Sequence, residues 1–296
     1  MNKNKSGNKK ILLFCCLLFL LLVSCAGGPP KIPEARQKEY DLNRQGNRAF
    51  MKGDYASALG CYSGAARLAK SIENHEGAAV NLIDMAVTYA RMEEIENAHK
   101  CLDEILDGGK KIYSNESLSQ AGYQKALLYL DPVDGGGAQP GAYANADLWA
   151  EKALSWCGNG CDAEGRILNL KARITLAVKD PGTAFKYAQK ALIFNRKNKD
   201  AVEGANSLRL EAEAGAMSGS YVEAARLYGL ALAADKDLGL GRKMSYDLLG
   251  MGNVFCAMRE PDKGKNYLDR ALAITEAMDA KETGKEISAS IKKCGK

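Results

Sequence analysis

Residues 46–65, GNRAFMKGDYASALGCYSGA, contain two short segments with apolar faces and a Gly-Asp turn between them. The small residues Gly46, Ala58 and Ala65 stand where two packed helices would approach each other closely, and larger side chains such as Tyr62 fill the remaining space. Glycine followed by aspartate is typical of a helix end and a new helix start. The stretch therefore predicts a helical hairpin.

The hairpin pattern recurs along the 296-residue chain. Its marker is a pair of mostly small residues seven positions apart, which places both on one face of a helix. The pairs are Ala58/Ala65, Ala98/Ile105, Ala146/Ala153, Ala184/Ala191, Ala224/Ala231 and Gly264/Ala271. Successive pairs lie 40, 48, 38, 40 and 40 residues apart. This regular spacing predicts a repeat protein.

The first repeat, which starts at Glu39, contains Leu42, Gly46, Gly53-Asp54-Tyr55, Ala58, Tyr62 and Ala65. This pattern resembles the tetratricopeptide repeat (TPR), although Ala49 stands where that family has an aromatic residue, with Phe50 beside it. HEAT and Sel1-type repeats have similar periods but explain the Gly-Asp-Tyr turns less well. The resemblance covers residues 39–278. It implies an all-α fold, a right-handed α-solenoid of about six TPR-like helical hairpins, followed by a C-terminal capping helix in residues 279–296.

The third repeat carries the longest interruption. DPVDGGGAQPGA separates a predicted helix over residues 118–130 from Tyr143 and Ala146, and we expect a surface loop over residues 131–142. A flexible connector is the simpler interpretation, with a binding element as the alternative.

Residues 1–24 have the layout of a secretory signal peptide, with a basic start, an apolar run over residues 11–23 and a small-residue end. Leu22-Val23-Ser24-Cys25 resembles the lipobox of bacterial lipoproteins. The resemblance implies that residues 1–24 are cleaved and that Cys25 is lipidated, with residues 25–38 as a flexible tether rich in Gly and Pro. The alternative is a short uncleaved transmembrane helix, which 13 apolar residues make less suitable.

Ala26 follows the cysteine where an inner-membrane lipoprotein of enteric bacteria commonly has aspartate. By that analogy we expect a bacterial envelope protein, lipid-anchored in the outer membrane and facing the periplasm. The net charge of +5 does not indicate nucleic-acid binding. Four of the 41 basic residues lie before Cys25 and no acidic residue does, which leaves 37 basic against 36 acidic residues in the rest of the chain.

Six cysteines follow Cys25: Cys61, Cys101, Cys157, Cys161, Cys256 and Cys294. Cys157 and Cys161 are the one close pair, and the glycines between them would let the two sulfurs meet in a disulfide-closed turn. Two free thiols are the alternative, and a zinc site would need two further ligands. Cys61 and Cys101, at the same place in adjacent repeats, are interpreted as small core residues.

The sequence contains no catalytic motif that we recognise. His75 and His99 are the two histidines, and neither Gly-X-Ser-X-Gly nor a phosphate-binding glycine loop is present. We therefore expect no enzyme activity, no metal and no cofactor.

Candidate functional residues come from the groove-lining positions of the TPR family. They are Asn43, Asn47, Phe50, Asn169, Arg173, Arg209, Glu213, Tyr246 and Asn253. Asn47 matches an asparagine of the carboxylate clamp that some TPR proteins use to hold a peptide C-terminus. Asn43 replaces that clamp's lysine and Asp84 its second-repeat asparagine, so an acid would repel a carboxylate and chaperone-tail binding is not expected. The alternative is that these residues only form a polar helix face exposed to solvent.

The leading hypothesis is a membrane-anchored TPR scaffold lipoprotein that binds a protein or peptide partner in its groove and helps assemble or localise an envelope complex. TPR lipoproteins of this size serve in pilus and secretin assembly, outer-membrane protein insertion and transporter accessory roles. The alternative is an accessory ligand-binding lipoprotein of a transport system, with a pocket inside the superhelix.

Overall fold

The computed structural model describes residues 32–130, 141–158 and 160–295, and in these ranges the chain forms thirteen α-helices and no strand. A 3₁₀ turn at Gly109–Lys111 lies between the fourth and fifth helices. In chain order the helices are α1 Glu34–Met51, α2 Tyr55–Ser71, α3 His75–Arg91, α4 Ile95–Gly108, α5 Asn115–Leu130, α6 Ala142–Cys157, α7 Glu164–Ala177, α8 Pro181–Lys197, α9 Ala201–Met217, α10 Tyr221–Asp237, α11 Gly241–Ala257, α12 Pro261–Ala277 and α13 Lys281–Lys293.

The first twelve helices pair as six hairpins, and α13 packs against the last of them. The turn within the first hairpin shows why the sequence folds this way. Gly53 takes a φ of 78°, which only glycine adopts without strain, and Asp54 then accepts a hydrogen bond from the Ser57 backbone N–H at the start of α2. Hydrogen bonds from the Ser57 side chain and from its backbone N–H lower the pKa of Asp54. Asp180 and Asp200 begin α8 and α9 in the same way.

The helices are layered. Each odd-numbered helix from α1 to α13 contacts the next odd-numbered helix, so these helices form a continuous layer. Within the described ranges no even-numbered helix contacts another even-numbered helix. Helices that touch from repeat to repeat lie on the inside of a curved stack, and helices that splay apart lie on its outside. The odd-numbered helices therefore line the concave face, here called the groove.

The small-residue pairs lie in the core of the hairpins. All twelve residues of the six pairs are buried, and Ala58, Ala98, Ala146 and Ala184 are each 0% exposed. At the first crossing, a Cβ placed on Gly46 would lie 2.6 Å from the Tyr62 ring, so only glycine fits there. The fold predicted from the sequence, an all-α solenoid of six hairpins and a capping helix, is confirmed.

The sixth hairpin brings the backbones of α11 and α12 close together, and it gives a testable prediction. A Cβ on Gly252 would lie 2.5 Å from Leu268 Cγ and 3.0 Å from the Gly264 carbonyl oxygen. Because part of this obstruction is backbone, Gly252→Ala is expected to lower the free energy of unfolding by about 1–3 kcal/mol, measured by urea denaturation. Gly229→Ala in α10 is the control, since a Cβ there meets nothing within 4 Å. If both variants show equal stability, α11 and α12 do not approach this closely.

Several predicted boundaries lie next to the helix ends seen in the structure. The first helix begins at Glu34, ahead of the predicted repeat start at Glu39. Within the predicted insertion over residues 131–142, Gly141 takes a left-handed conformation and α6 begins at Ala142, while residues 131–140 lie outside the described residues. The predicted lipidation site Cys25 and the signal peptide also lie outside them. Within the described residues, no helix combines the length and apolar character needed to cross a membrane.

Two disulfides join described residues. Cys157 at the end of α6 pairs with Cys161, four positions on, where the sequence left disulfide and free thiols as alternatives. Cys256 in α11 pairs with Cys294, which directly follows α13, and the sequence did not suggest this second pair. Cys61 and Cys101 are free cysteines, and Cys101 is buried as a core residue. The second disulfide fastens the capping helix to the last hairpin.

Candidate functional site

The groove ends in a cavity of about 390 Å³ between α9, α10, α11 and α13. Four of the nine candidate groove residues line it, namely Arg209, Glu213, Tyr246 and Asn253. Residues that the sequence did not single out complete the wall: Ala216, Met217, Tyr221, Tyr228, Leu249, Gly250, Val254, Ala257 and Glu286. We call this space the C-terminal cavity.

At the other end of the groove, Asn43 and Asn47 belong to a hydrogen-bond chain. The Tyr62 hydroxyl donates to Asn47 Oδ1 at 2.7 Å, and Asn47 Nδ2 donates to Asn43 Oδ1 at 3.1 Å. Asn43 Nδ2 then donates to Asn81 Oδ1 and to Asp84 Oδ2, both at 2.9 Å. Burial raises the pKa of Asp84, while the hydrogen bond from Asn43 lowers it. Asn43 and Asn47 thus fasten α1 to α2 and α3.

Phe50 lies near the turn of the first hairpin. Its ring is partly buried and packs against Tyr55, with the ring centroids 5.5 Å apart. Part of its surface is therefore used inside the hairpin.

Asn169 lies in the interface between α7 and α9 instead of on the groove surface. It is 4% exposed, receives a hydrogen bond from Ser207 Oγ at 2.8 Å and donates to the Glu203 carbonyl oxygen at 3.1 Å. Asn195 in turn donates to Ser207 Oγ at 3.1 Å. A buried amide must satisfy its donors and acceptors inside the protein, so Asn169 serves packing between repeats.

Arg209 lines the cavity but is held by three neighbours. Its Nε donates to Asp247 Oδ1 at 2.7 Å, one terminal nitrogen donates to Asp235, and the other donates to Asn206 Oδ1 at 2.9 Å. Asp235 and Asp247 are both 0% exposed. Burial raises the pKa of Asp247 to about 7, while Arg209 lowers it and Asp235 raises it. The guanidinium therefore neutralises a buried acidic pair, and its four hydrogen bonds to neighbouring residues use four of its five N–H groups.

Glu213, Tyr246 and Asn253 are the predicted groove residues that face solvent in the cavity. Glu213 is accessible yet crowded by surrounding helices, and this desolvation raises the pKa of its carboxyl. Arg173 and Arg209 lower that pKa, and Glu286 on α13 raises it. Charged side chains on α7, α9 and α13 thus all affect the pKa of Glu213, as expected of a residue on a concave surface.

The two histidines lie away from the cavity, beside tyrosines. His75 packs edge-on against Tyr113 at 6.3 Å, and His99 lies 5.2 Å from the Tyr129 ring. Burial lowers the pKa of His99. Among the described residues, no group of three or more His, Cys, Asp or Glu side chains is placed to hold a metal ion.

Tyr228 is the cavity residue that sequence reasoning missed most clearly. It lies on α10, at an aromatic position that the repeat pattern assigns to packing, and it is 6% exposed. A Cβ on Gly250 would lie 2.3 Å from Tyr228 Cζ, so the ring extends across α11 only because that position is glycine. The signal in the sequence was Gly250, a glycine inside a helix with no turn to explain it.

No family model matches the sequence, and no curated protein matches it. Solved structures resemble the fold. A chain of the APC/C hetero-tetramer Cut9-Hcn1 superposes with a TM-score of 0.63 at 14% identity, and the match covers 86% of this chain but only 43% of that chain. A TPR protein from Parabacteroides merdae gives 0.53 at 14% identity, with 88% and 94% covered. The pilF protein of Pseudomonas aeruginosa gives 0.51 at 15% identity, with 74% and 93% covered.

The fold and the groove define a class, the TPR-like repeat solenoids, and its structural neighbours include TPR-repeat proteins. At these identities the similarity concerns the fold alone.

Proposed function

We propose that this chain is a membrane-anchored scaffold that binds a protein or peptide partner in its groove and holds it at the bacterial envelope. The observation that carries the proposal is the groove itself. A continuous layer of odd-numbered helices leads to the C-terminal cavity, where Glu213, Tyr246 and Asn253 face solvent. Repeat solenoids use such extended concave surfaces for binding. The neighbour from the Cut9-Hcn1 hetero-tetramer is an example of this fold in a protein assembly.

Envelope location is part of the proposal and rests on two features. The lipobox-like segment ending at Cys25 would supply an acylated anchor. The Cys157–Cys161 and Cys256–Cys294 disulfides fit an oxidising compartment such as the periplasm, since disulfides rarely persist in a reducing cytoplasm. We propose an outer-membrane lipoprotein that faces the periplasm.

Replacing Cys25 with alanine tests the anchor. The acyl chains contribute about 0.8 kcal/mol per buried CH₂, so two or three of them would keep the protein on a bilayer. We expect the natural chain to incorporate labelled palmitate and to sediment with membranes. The Cys25→Ala variant should incorporate no label and should keep its signal segment, which gives a larger apparent mass. A variant of unchanged apparent mass that stays membrane-bound would contradict lipidation.

The partner can be sought by crosslinking the lipidated protein in its native envelope and identifying what co-purifies. Tyr246→Ala removes a 38% exposed aromatic side chain from the groove, and we expect it to reduce partner recovery. Val222→Ala is the matched control, because Val222 is 74% exposed on α10 and does not line the cavity. Absence of any reproducible partner would overturn the scaffold role. If only the Val222→Ala control loses the partner, the partner binds outside the groove.

A small-molecule carrier, the alternative function, would need a predominantly apolar pocket. The C-terminal cavity instead has Glu213, Glu286 and Arg209 in its wall beside tyrosines and aliphatic side chains. This lining suits a polar side chain of a protein partner better than an apolar ligand.

A further inference from the structure

We propose that the C-terminal cavity is the subsite that receives a basic side chain, arginine or lysine, of the partner. This inference rests on the proposed function, because it names the chemistry that the groove recognises. Two acidic side chains, the unpartnered hydroxyl of a largely buried tyrosine and an aromatic-aliphatic wall carry it.

The acidic side chains come from two different helices of the cavity wall. Glu213 projects from α9 and Glu286 from α13, and both are exposed. They are close enough for the charge of Glu286 to oppose ionisation of Glu213. Two carboxylates that line one cavity both attract a cation placed inside it.

Arg209 does not neutralise this pair, because its three nitrogens already bind Asp235, Asp247 and Asn206. Arg173 and Arg209 lower the pKa of Glu213 more than Glu286 raises it, so the two arginines favour the ionised form of this carboxyl. The cavity wall therefore presents negative charge together with hydrogen-bond acceptors.

Tyr228 is the second, independent observation. Its side chain is more than nine-tenths buried, it lines the cavity, and its Cζ, which bears the hydroxyl, lies over Gly250 in the same wall. Within the described part of the chain the hydroxyl has no hydrogen-bond partner, although the comparable Tyr62 hydroxyl donates to Asn47. Burial raises the pKa of Tyr228, so the phenol stays neutral. The ring is buried while the hydroxyl is not fully enclosed, so the hydroxyl can accept a hydrogen bond from a ligand in the cavity.

The remaining wall suits the rest of such a side chain. Tyr246, Tyr221 and Met217 give an aromatic and flexible apolar surface around the polar groups. Arginine and lysine have an apolar stem that packs on such surfaces and a charged end that seeks carboxylates and aromatic faces. The cavity volume of about 390 Å³ accommodates one side chain of this size.

The test uses the full chain in detergent and three acetylated, amidated tripeptides of the form Gly-X-Gly. X is arginine, lysine or norleucine, the last being a neutral analogue of lysine. We expect the arginine and lysine peptides to bind with at least tenfold higher affinity than the norleucine peptide, measured by calorimetry or ligand-observed NMR. Equal binding of all three, or no binding of the basic peptides, would overturn the inference.

Variants locate the site. The double variant Glu213→Gln/Glu286→Gln should weaken basic-peptide binding at least tenfold, and Tyr228→Phe should weaken it about threefold while leaving the ring in place. Glu96→Gln, at an exposed glutamate on α4 outside the cavity, should bind as the natural chain does. Circular dichroism checks that each variant is folded. If the double variant and Glu96→Gln bind equally well, the cavity is not the site.

The experiments distinguish a failure of the cavity subsite from a failure of the scaffold role. If a partner co-purifies but the cavity variants bind basic peptides normally, the subsite is wrong and the scaffold role stands. If basic peptides bind in the cavity but no partner co-purifies, the subsite stands and the scaffold role falls.

Discussion

Replacement of Arg209 by methionine is expected to lower the free energy of unfolding by about 3–5 kcal/mol at pH 8. Asp235 and Asp247 are completely buried, and Arg209 is the cation that binds both. Methionine keeps much of the apolar volume but leaves two carboxylates without a counter-charge. Breaking a buried ion pair by removing one partner costs far more than the intact pair contributes, because the remaining charge stays buried.

The size of this loss should depend on pH. Burial raises the pKa of Asp247 to about 7 in the folded protein, above its ordinary value of 3.8. Between these values the folded state holds a proton that the unfolded chain releases, so stability falls as pH rises from about 4 to about 7. Protonated Asp247 can donate to Asp235, whose Oδ1 otherwise has no hydrogen-bond partner. The Arg209→Met loss should therefore be smaller at pH 5 than at pH 8.

Urea denaturation followed by circular dichroism at pH 5 and pH 8 measures both effects. Arg226→Met is the control, because Arg226 is an exposed arginine that pairs with Glu223 on the same helix, and it should change stability little. Asp247→Asn supplies a second check, since an amide cannot ionise and should flatten the decline between pH 4 and pH 7. An Arg209→Met loss equal to that of Arg226→Met, or equal at both pH values, would contradict the buried-pair account.

Arg209 also shows where sequence reasoning reaches its limit. Hairpins were predictable because residues such as Ala58 and Ala65 repeat within one helix, and burial of a face is encoded locally. Whether a polar residue on the inner helix faces solvent or a neighbouring repeat depends on what lies across the interface. Position alone made Asn169 and Arg209 groove candidates, but their partners are contributed by other helices.

A regular spacing underlies these contacts. Asn43 meets Asn81, Asn169 meets Ser207, and Arg209 meets Asp247, each pair separated by 38 residues in the sequence. The separation follows from stacking one inner helix on the next, and it differs slightly from the 40-residue spacing of most small-residue pairs. A search for complementary polar residues at this separation would have assigned Asn169 and Arg209 to repeat packing. The cavity residue Glu286 lies on the capping helix, which follows the last repeat, so the repeat pattern could not predict it.

The Cys256–Cys294 disulfide was missed for the same reason, and its removal has the second large expected effect. The bond closes a loop of 38 positions, for which the chain-entropy relation gives a stabilisation of about 4 kcal/mol. The Cys157–Cys161 bond closes a loop of four positions, and the same relation gives about 2 kcal/mol. We expect Cys256→Ala/Cys294→Ala to cost more than Cys157→Ala/Cys161→Ala.

The loss should be local, because the capping helix contacts only α11 and α12 among the described helices. Its apolar anchor is Ile287, which is 0% exposed and packs with Leu248 and Leu268. In a repeat solenoid the terminal element can open while the other repeats stay folded. Hydrogen exchange of peptides from residues 281–293 is therefore the sensitive measurement. A loss of about 4 kcal/mol corresponds to nearly a thousandfold faster exchange there, with little change in α1 to α8.

This disulfide should also control the C-terminal cavity, because α13 carries Glu286 into its wall. When α13 opens, Glu286 leaves and the negative charge opposite Glu213 is lost. The Cys256→Ala/Cys294→Ala variant should thus bind the arginine tripeptide more weakly than the natural chain, in proportion to how often α13 is open, while Cys157→Ala/Cys161→Ala should not. Unchanged exchange in residues 281–293 would show that apolar packing around Ile287 holds the capping helix without the disulfide. Faster exchange with unchanged peptide affinity would instead show that Glu286 does not contribute to binding. Glu213 and Tyr228 would then be the polar groups of the site.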